Sequence, residues 1–208
     1  MKWISPAIVA AALLLSIGFY NRLPDEVPIH WNAAGEVNGY ASRATGAFLM
    51  PGILLLLAVL FPVLPRISPR GYLLDTESRG YRAIWITTML SMLAVHVFAL
   101  LAATGMRVNM SMAMPIVIGA LFIVLGNYIT TVPRNFFVGI RTPWTLASED
   151  VWFRTHRFGG RLFMLGGVVL MLLPLFGPRV LEAGLIAVVL ATALGSVVYS
   201  YVIYRREA

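Results

Sequence analysis

The side chains that could perform chemistry are few in this 208-residue sequence and lie far apart along it. There is no cysteine, which excludes disulfides and thiolate nucleophiles, and the histidines are His30, His96 and His156. No His-Glu-x-x-His pair, Gly-x-Ser-x-Gly elbow or phosphate-binding glycine loop occurs. The sequence therefore predicts a protein that is not an enzyme, with no catalytic residue, no metal site and no cofactor.

The elements that must position these side chains are hydrophobic helices. Hydrophobic residues form 59% of the chain and charged residues 12%, about half the charged share of a typical soluble domain. Six hydrophobic runs approach the ~20 residues that a helix needs to cross a bilayer, at residues 3–20, 47–64, 83–103, 114–131, 162–176 and 180–204. A cleaved signal peptide is the alternative for the first run, but no small-x-small cleavage site follows it. The sequence predicts one all-α domain, residues 1–208, built as a polytopic membrane bundle of six transmembrane helices.

The basic residues predict the orientation of this bundle. Six spans place both termini on one side, and if that side is the cytoplasm it holds twelve of the sixteen lysines and arginines. We therefore expect cytoplasmic N- and C-termini. His30 then lies outside, His96 within the third span and His156 inside, so they cannot share a metal. Because the basic residues lie between hydrophobic runs and not in one stripe, the net charge of +7 does not indicate direct nucleic-acid binding.

The first polar segment, residues 21–46, is predicted to be a small extracytoplasmic hairpin after the first helix. Residues 27–31 alternate as in a strand, Val37 fits a returning strand, and Gly35 is a turn former. The segment contains an indole ring with hydrogen-bonding side chains near it in the sequence. These residues are its four binding candidates: His30, Trp31, Asn32 and Glu36. The alternative is that these groups only fold the loop on itself.

The second polar segment, residues 132–161, is predicted to be a cytoplasmic loop with an interfacial helix. Ser148 is a helix N-cap, and acidic residues follow it where the helix dipole favours them. The helix is expected to end at the Gly159-Gly160 pair, and residues 140–144 to form an ordered turn before it. Asp150 and Arg154 have the spacing of a weak surface ion pair.

This second segment contains seven binding candidates. They are Asn135, Arg141, Thr142, Trp144, Trp152, His156 and Arg157. Four of them are expected to form one cytoplasmic surface, which would either lock the inner ends of spans four and five or receive a soluble partner: Arg141, Trp144, Trp152 and His156.

Small residues predict where one span packs closely on another. They recur at intervals of four along the sixth run, at Ala183, Ala187, Ala191 and Gly195. Such a ridge lets a neighbouring helix approach closely in lipid. The Gly166-Gly167 pair in the fifth run is its expected partner.

The polar motifs of the chain also resemble those of a known family. They are Pro28–Asn32 with Gly35, Pro65–Pro69, Gly126-Asn127, Asn135, Gly139–Leu146, Val151-Trp152, Thr155–Arg157 and Gly159-Gly160. In this order, around six spans, they resemble the SdpI family of bacterial membrane proteins. The resemblance implies a multi-pass protein of the bacterial plasma (inner) membrane that confers immunity to a secreted peptide toxin outside. It also implies signal transduction through a soluble repressor-like protein inside.

Three functional hypotheses follow. The leading one is a membrane immunity or receptor protein, whose partners are membrane lipids, the toxin and the repressor-like protein. A small-molecule or peptide transporter is the second, for which His96, Asn127 and the hydroxyls of the third span are the mid-membrane polar groups. An intramembrane enzyme is the third and weakest, because no nucleophile has a base beside it. For His96 itself, a neutral imidazole bonded to a neighbouring helix is the favoured interpretation.

Overall fold

A computed structural model describes residues 3–72 and 74–207, and Lys2, counted above among the basic residues, lies outside them. Within this part of the chain the helices are α1 (Ile4–Phe19), α2 (Arg43–Val63), α3 (Arg79–Ala103), α4 (Met110–Ile129), α5 (Pro143–Ala147), α6 (Glu149–Leu172) and α7 (Pro178–Glu207). The strands are β1 (Glu26–Trp31) and β2 (Val37–Ser42). All of the helices except the short α5 belong to the six segments that are long and apolar enough to cross a membrane. The predicted all-α bundle of six spans, with a hairpin after the first, is confirmed.

The connections between the spans gather at two ends of the bundle. The hairpin end contains the two strands, the α3–α4 connection and the start of α7, since a cavity there is lined by Trp31, Ser111 and Leu181. The loop end contains the α2–α3 connection, residues 130–148 and the end of α7. There Tyr72 donates a hydrogen bond to the carbonyl of Leu146 at 3.2 Å.

The hairpin forms because its tip and its base are both anchored. The strands pair antiparallel, with Trp31 opposite Val37 at the tip. Val27 is buried and packs on Gly46 at the start of α2, where any added side chain would collide with it. The hairpin is therefore fastened to the helices and not free above them.

Two pairs of glycines bring α4 and α6 into backbone contact. Gly119 lies against Gly167 and Gly126 against Gly160, so the partners are seven residues apart on each helix. A Cβ atom on Gly160 would lie 2.5 Å from the carbonyl oxygen of Gly126, far inside normal contact. These four residues, the glycine seam, explain why the helices can approach so closely in lipid.

The glycine pair at the start of the fifth span does not end a helix as the sequence suggested. α6 continues through it to Leu172. Gly160 is needed for the close approach to α4, and Gly159 faces Ile140 and Ser196, so packing and not helix termination requires both. The expected interfacial helix is thus the first part of a long spanning helix. Before it, the expected turn becomes the short helix α5, which begins at Pro143.

The predicted small-residue ridge on the last span is wrong at its three alanines, whereas its fourth member, Gly195, packs on Leu162 of α6. Ala183, Ala187 and Ala191 are exposed on the outer surface of the bundle. The buried face of α7 instead carries hydroxyl residues, and Gly166 packs on Val188 and Thr192. The hydroxyl of Thr192 donates to the carbonyl of Val188 at 2.8 Å, which removes the penalty for placing it among helices. Alanine has no such group to satisfy and can face lipid.

Candidate functional sites at the two ends of the bundle

Three of the four outer-loop candidates hold the hairpin together. Nδ1 of the exposed His30 donates to Oδ1 of Asn38 across the hairpin at 2.5 Å. Oδ1 of Asn32 accepts the backbone N–H groups of Ala34 and Glu36, both at 3.0 Å, and its Nδ2 donates to the Glu36 carboxylate at 2.9 Å. These contacts of His30, Asn32 and Glu36 therefore agree with the alternative that the polar groups of this loop only fold it on itself.

Trp31 differs, because it lies between two cavities at this end. One, of about 310 Å³, lies beneath β1 and is bordered by α2, α3 and α4. The other, of about 350 Å³, lies between the hairpin tip, α4 and α7. Trp31 lines both of them and is only half buried, so its indole ring forms part of each wall.

The buried His96 lies at the first of these cavities. The hydroxyl of Ser16 donates to the Ala47 carbonyl at 2.6 Å and lies 3.0 Å from Nε2 of His96. The expected bond from His96 to a neighbouring helix is confirmed. Asn127 is exposed near the other end of α4, so it does not extend this group into a polar track.

At the loop end, Asn135 organises the chain that leaves α4. It is fully buried, and its Oδ1 accepts the backbone N–H groups of Phe137 at 2.8 Å and Val138 at 2.7 Å. Its Nδ2 donates to the carbonyls of Pro133 at 2.8 Å and Val138 at 2.9 Å. One amide side chain thus replaces the missing backbone pairing of an irregular segment.

Trp152 and His156 fasten the next part of this loop to α6. Both are fully buried, with ring centroids 4.0 Å apart. Nε2 of His156 accepts the N–H of Ile140 at 2.9 Å, and Nδ1 donates to the Trp152 carbonyl at 2.7 Å, which defines a neutral ring. Gly139 has a φ of +130°, and a Cβ there would lie 2.5 Å from Nε2 of His156. Only glycine fits beneath the loop at this point.

Threonines connect the same loop to α7. Thr142 and Thr145 form a capping box at the start of α5. The hydroxyl of Thr142 also lies 3.0 Å from that of Ser200. Sequence reasoning selected Thr142 but missed Thr145, although the Thr-x-x-Thr spacing before a helix is a weak capping signal.

Two further loop-end residues had no sequence signal. The guanidinium of Arg134 donates to the Leu146 carbonyl at 2.9 Å and lies 5.2 Å from the ring of Tyr72. The ring of Tyr72 also meets that of Phe136 edge-on at 4.4 Å. The α2–α3 connection therefore covers the loop, a contact between segments about seventy residues apart.

The structure does not form the expected four-residue surface. Trp152 and His156 are buried, and Trp144 is half buried against Tyr201, at 5.0 Å between ring centroids. Arg141 alone of the four is exposed, and it donates to the Phe136 carbonyl at 2.6 Å. The polar ring atoms of Trp152 and His156 are bonded to backbone groups, the carbonyl of Val132 and the N–H of Ile140. Arg157 is exposed as well.

The described side chains form hydrogen-bonding and packing groups at both ends. Among residues 3–72 and 74–207, no three His, Asp or Glu side chains lie close enough together to hold a metal ion. The ion pair between Arg154 and Asp150, 3.3 Å long, is exposed and matches its prediction. The predicted N-cap is also confirmed, since the Ser148 hydroxyl accepts the N–H of Val151 at 3.3 Å.

A third cavity, of about 800 Å³, lies away from all of these candidates. It opens between α1, α2 and α3 toward the loop end, and is walled by apolar residues such as Val9, Leu55 and Trp85. The charged residues Arg66 and Glu77 also border this cavity.

Comparisons with known proteins agree with this architecture. The sequence model of the SdpI/YfhL protein family matches residues 131–200, which contain the loop-end site, α6 and most of α7. A domain of unknown function (DUF1648) matches residues 7–55, which contain the hairpin. No solved structure matches the chain significantly.

A curated relative extends the similarity over almost the whole sequence. The chain is 28% identical over 204 residues to the Immunity protein SdpI of Bacillus subtilis (strain 168), covering 98% of this chain and 95% of the relative. The six spans and the similarity together make this a multi-pass bacterial membrane protein. The resemblance to the SdpI family, first seen in the two polar loops, is thereby confirmed.

Proposed function

We propose that this chain is an immunity protein of the bacterial plasma membrane that protects the cell by capturing a secreted peptide toxin at its hairpin end. Its similarity to Immunity protein SdpI over 98% of the chain supports the immunity role. The observation that carries the site is the position of Trp31, half exposed between two cavities. Half-exposed aromatic rings beside apolar cavities are the usual anchors of peptide interfaces.

The proposal requires the hairpin end to face outward. The arginine distribution supports this orientation: Arg22, Arg43, Arg107 and Arg179 belong to the hairpin end, and the other arginines to the loop end. The chain has no cysteine, so single introduced cysteines report accessibility without background. In intact cells, an impermeant maleimide should label Ala34→Cys at the hairpin tip and not Glu149→Cys at the start of α6. Labelling of only the second variant would reverse the orientation.

A survival assay tests whether Trp31 anchors the toxin. Trp31→Ala should reduce survival of a toxin-sensitive host exposed to peptide toxins, at unchanged protein level, because an anchoring ring contributes about 2 kcal/mol or more. Tyr40→Ala is the matched control, since Tyr40 is an aromatic residue of the same hairpin that is 59% exposed and lines neither cavity. Equal survival of wild type and Trp31→Ala would remove Trp31 from the proposal.

The proposal also places a soluble, repressor-like partner at the loop end. The exposed cations Arg141 and Arg157 would meet acidic groups of such a protein. The buried residues beneath them would act only by holding the loop in shape.

A further inference from the structure

The cavity beneath β1 has one polar feature that the bundle itself does not use. Fifteen residues line it, and besides Trp31 only His30, Thr45 and His96 carry polar side-chain atoms. His96 is 2% exposed, so its remaining accessible surface is at the cavity. Its second ring nitrogen, Nδ1, decides what the cavity can bind.

The hydrogen bonds around His96 determine which nitrogen carries the proton. The single hydroxyl hydrogen of Ser16 is used in the 2.6 Å bond to the Ala47 carbonyl. Ser16 can therefore only accept from His96, which requires a hydrogen on Nε2. In the neutral ring Nδ1 is then left with a free lone pair.

That lone pair is available to a ligand, because His96 lines the cavity. Among the described residues Nδ1 makes no hydrogen bond, and the fully enclosed side-chain atom without a partner is Oγ1 of Thr155, elsewhere on α6. Within residues 3–72 and 74–207, Nδ1 thus has no hydrogen-bond partner, and His96 borders this cavity. A nearly buried acceptor at an apolar cavity favours a ligand that donates one hydrogen bond.

The other walls define the rest of the ligand. No Asp, Glu, Lys or Arg is among the described residues that line the cavity, so a charged group would lose its hydration without compensation. Met50, Met110 and Met114 provide flexible apolar contacts. The volume of about 310 Å³ exceeds the roughly 150 Å³ that suffices for benzene in an apolar cavity. A single substituted aromatic ring fits.

We propose that this cavity binds a neutral aromatic side chain with one donor, the phenol of a tyrosine or the indole of a tryptophan, from the captured peptide. The ring enters past Trp31, and its O–H or N–H donates to Nδ1 of His96. This inference rests on the proposed function for the source of the ring, whereas the chemistry of the cavity can be measured without any toxin.

The test uses two probes, 4-fluorophenol and 4-fluoroanisole, in which the ring oxygen carries a hydrogen or a methyl group, titrated by ¹⁹F NMR against the full chain in nanodiscs. We expect the phenol to bind at least about tenfold more tightly, because the anisole leaves Nδ1 unpaired. Simple partition into lipid favours the anisole, so it cannot produce this preference. Equal affinities, or tighter binding of the anisole, would overturn the inference.

Two variants locate the binding. His96→Leu should abolish the preference for the phenol. Ala99→Leu, which narrows the cavity and leaves Ser16 and His96 unchanged, should weaken the binding of both probes, and it retains the test if the first variant does not fold. Undiminished phenol binding by Ala99→Leu would place the site elsewhere and reject the proposal. If Ala99→Leu loses phenol binding yet protects cells fully, the toxin does not use this cavity, and the inference fails while the immunity role stands.

Discussion

Replacing Asn135 by alanine tests whether the loop end is a structural lock. The substitution removes the acceptor of two backbone N–H groups, at Phe137 and Val138, and the donor of two carbonyls. The segment is not a helix or a strand, so no neighbouring backbone group can replace these bonds.

The size of the effect follows from the two backbone N–H groups that lose their acceptor. An unpaired buried donor costs about 1–3 kcal/mol, so the two N–H groups together account for about 2–6 kcal/mol. Since Phe137 and Val138 are only partly buried, water relieves some of this, and we expect a loss of about 2–4 kcal/mol. For a chain of this size that corresponds to a melting temperature lowered by roughly 5–15 °C.

The assay is thermal unfolding in detergent, together with limited proteolysis of residues 133–148. Asn127→Ala is the matched control, because Asn127 is exposed and its side chain makes no hydrogen bond within the described residues. We expect the control to melt within about 1 °C of the wild type. If both variants melt alike, the hydrogen bonds of Asn135 do not hold the loop, and the lock is refuted.

Two further predictions concern packing and the exposed surface. Gly160→Ala should destabilise the chain by about 1–3 kcal/mol, since its Cβ would lie 2.5 Å from the Gly126 carbonyl oxygen. Gly52→Ala, with open space around it, should be neutral or stabilising. Equal melting temperatures of the two variants would contradict the close contact of α4 and α6 at the glycine seam. Arg141→Ala should keep protein level and melting temperature nearly unchanged, because its bond to the Phe136 carbonyl is exposed. A clearly lowered melting temperature would make Arg141 a structural residue of the loop and remove it from the proposed partner surface.

Features that depend on neighbouring residues could be predicted from the sequence. The hairpin, the cap at Ser148 and the Asp150–Arg154 pair each arise from residues within a few positions of one another. Features that depend on which helices are neighbours could not. In the sequence pattern of a soluble protein, Gly160 indicates the end of a helix, whereas here it is a contact point between two helices. Only the position of Gly126 on another helix distinguishes these two roles.

Exposure was the hardest property to predict, and the reason is chemical. The polar side chains of a segment between two spans can form hydrogen bonds with water or with the backbone of the segment itself. The amino-acid composition of the segment is the same in both cases. His156 and Trp152 bond the backbone groups of Ile140 and Val132, so they are buried. Arg141 carries five N–H donors and a permanent charge, and it is exposed with a bond to the Phe136 carbonyl. Counting free backbone groups in an irregular loop, and not ranking its residues by polarity, is therefore the better guide to which side chains remain available for a partner.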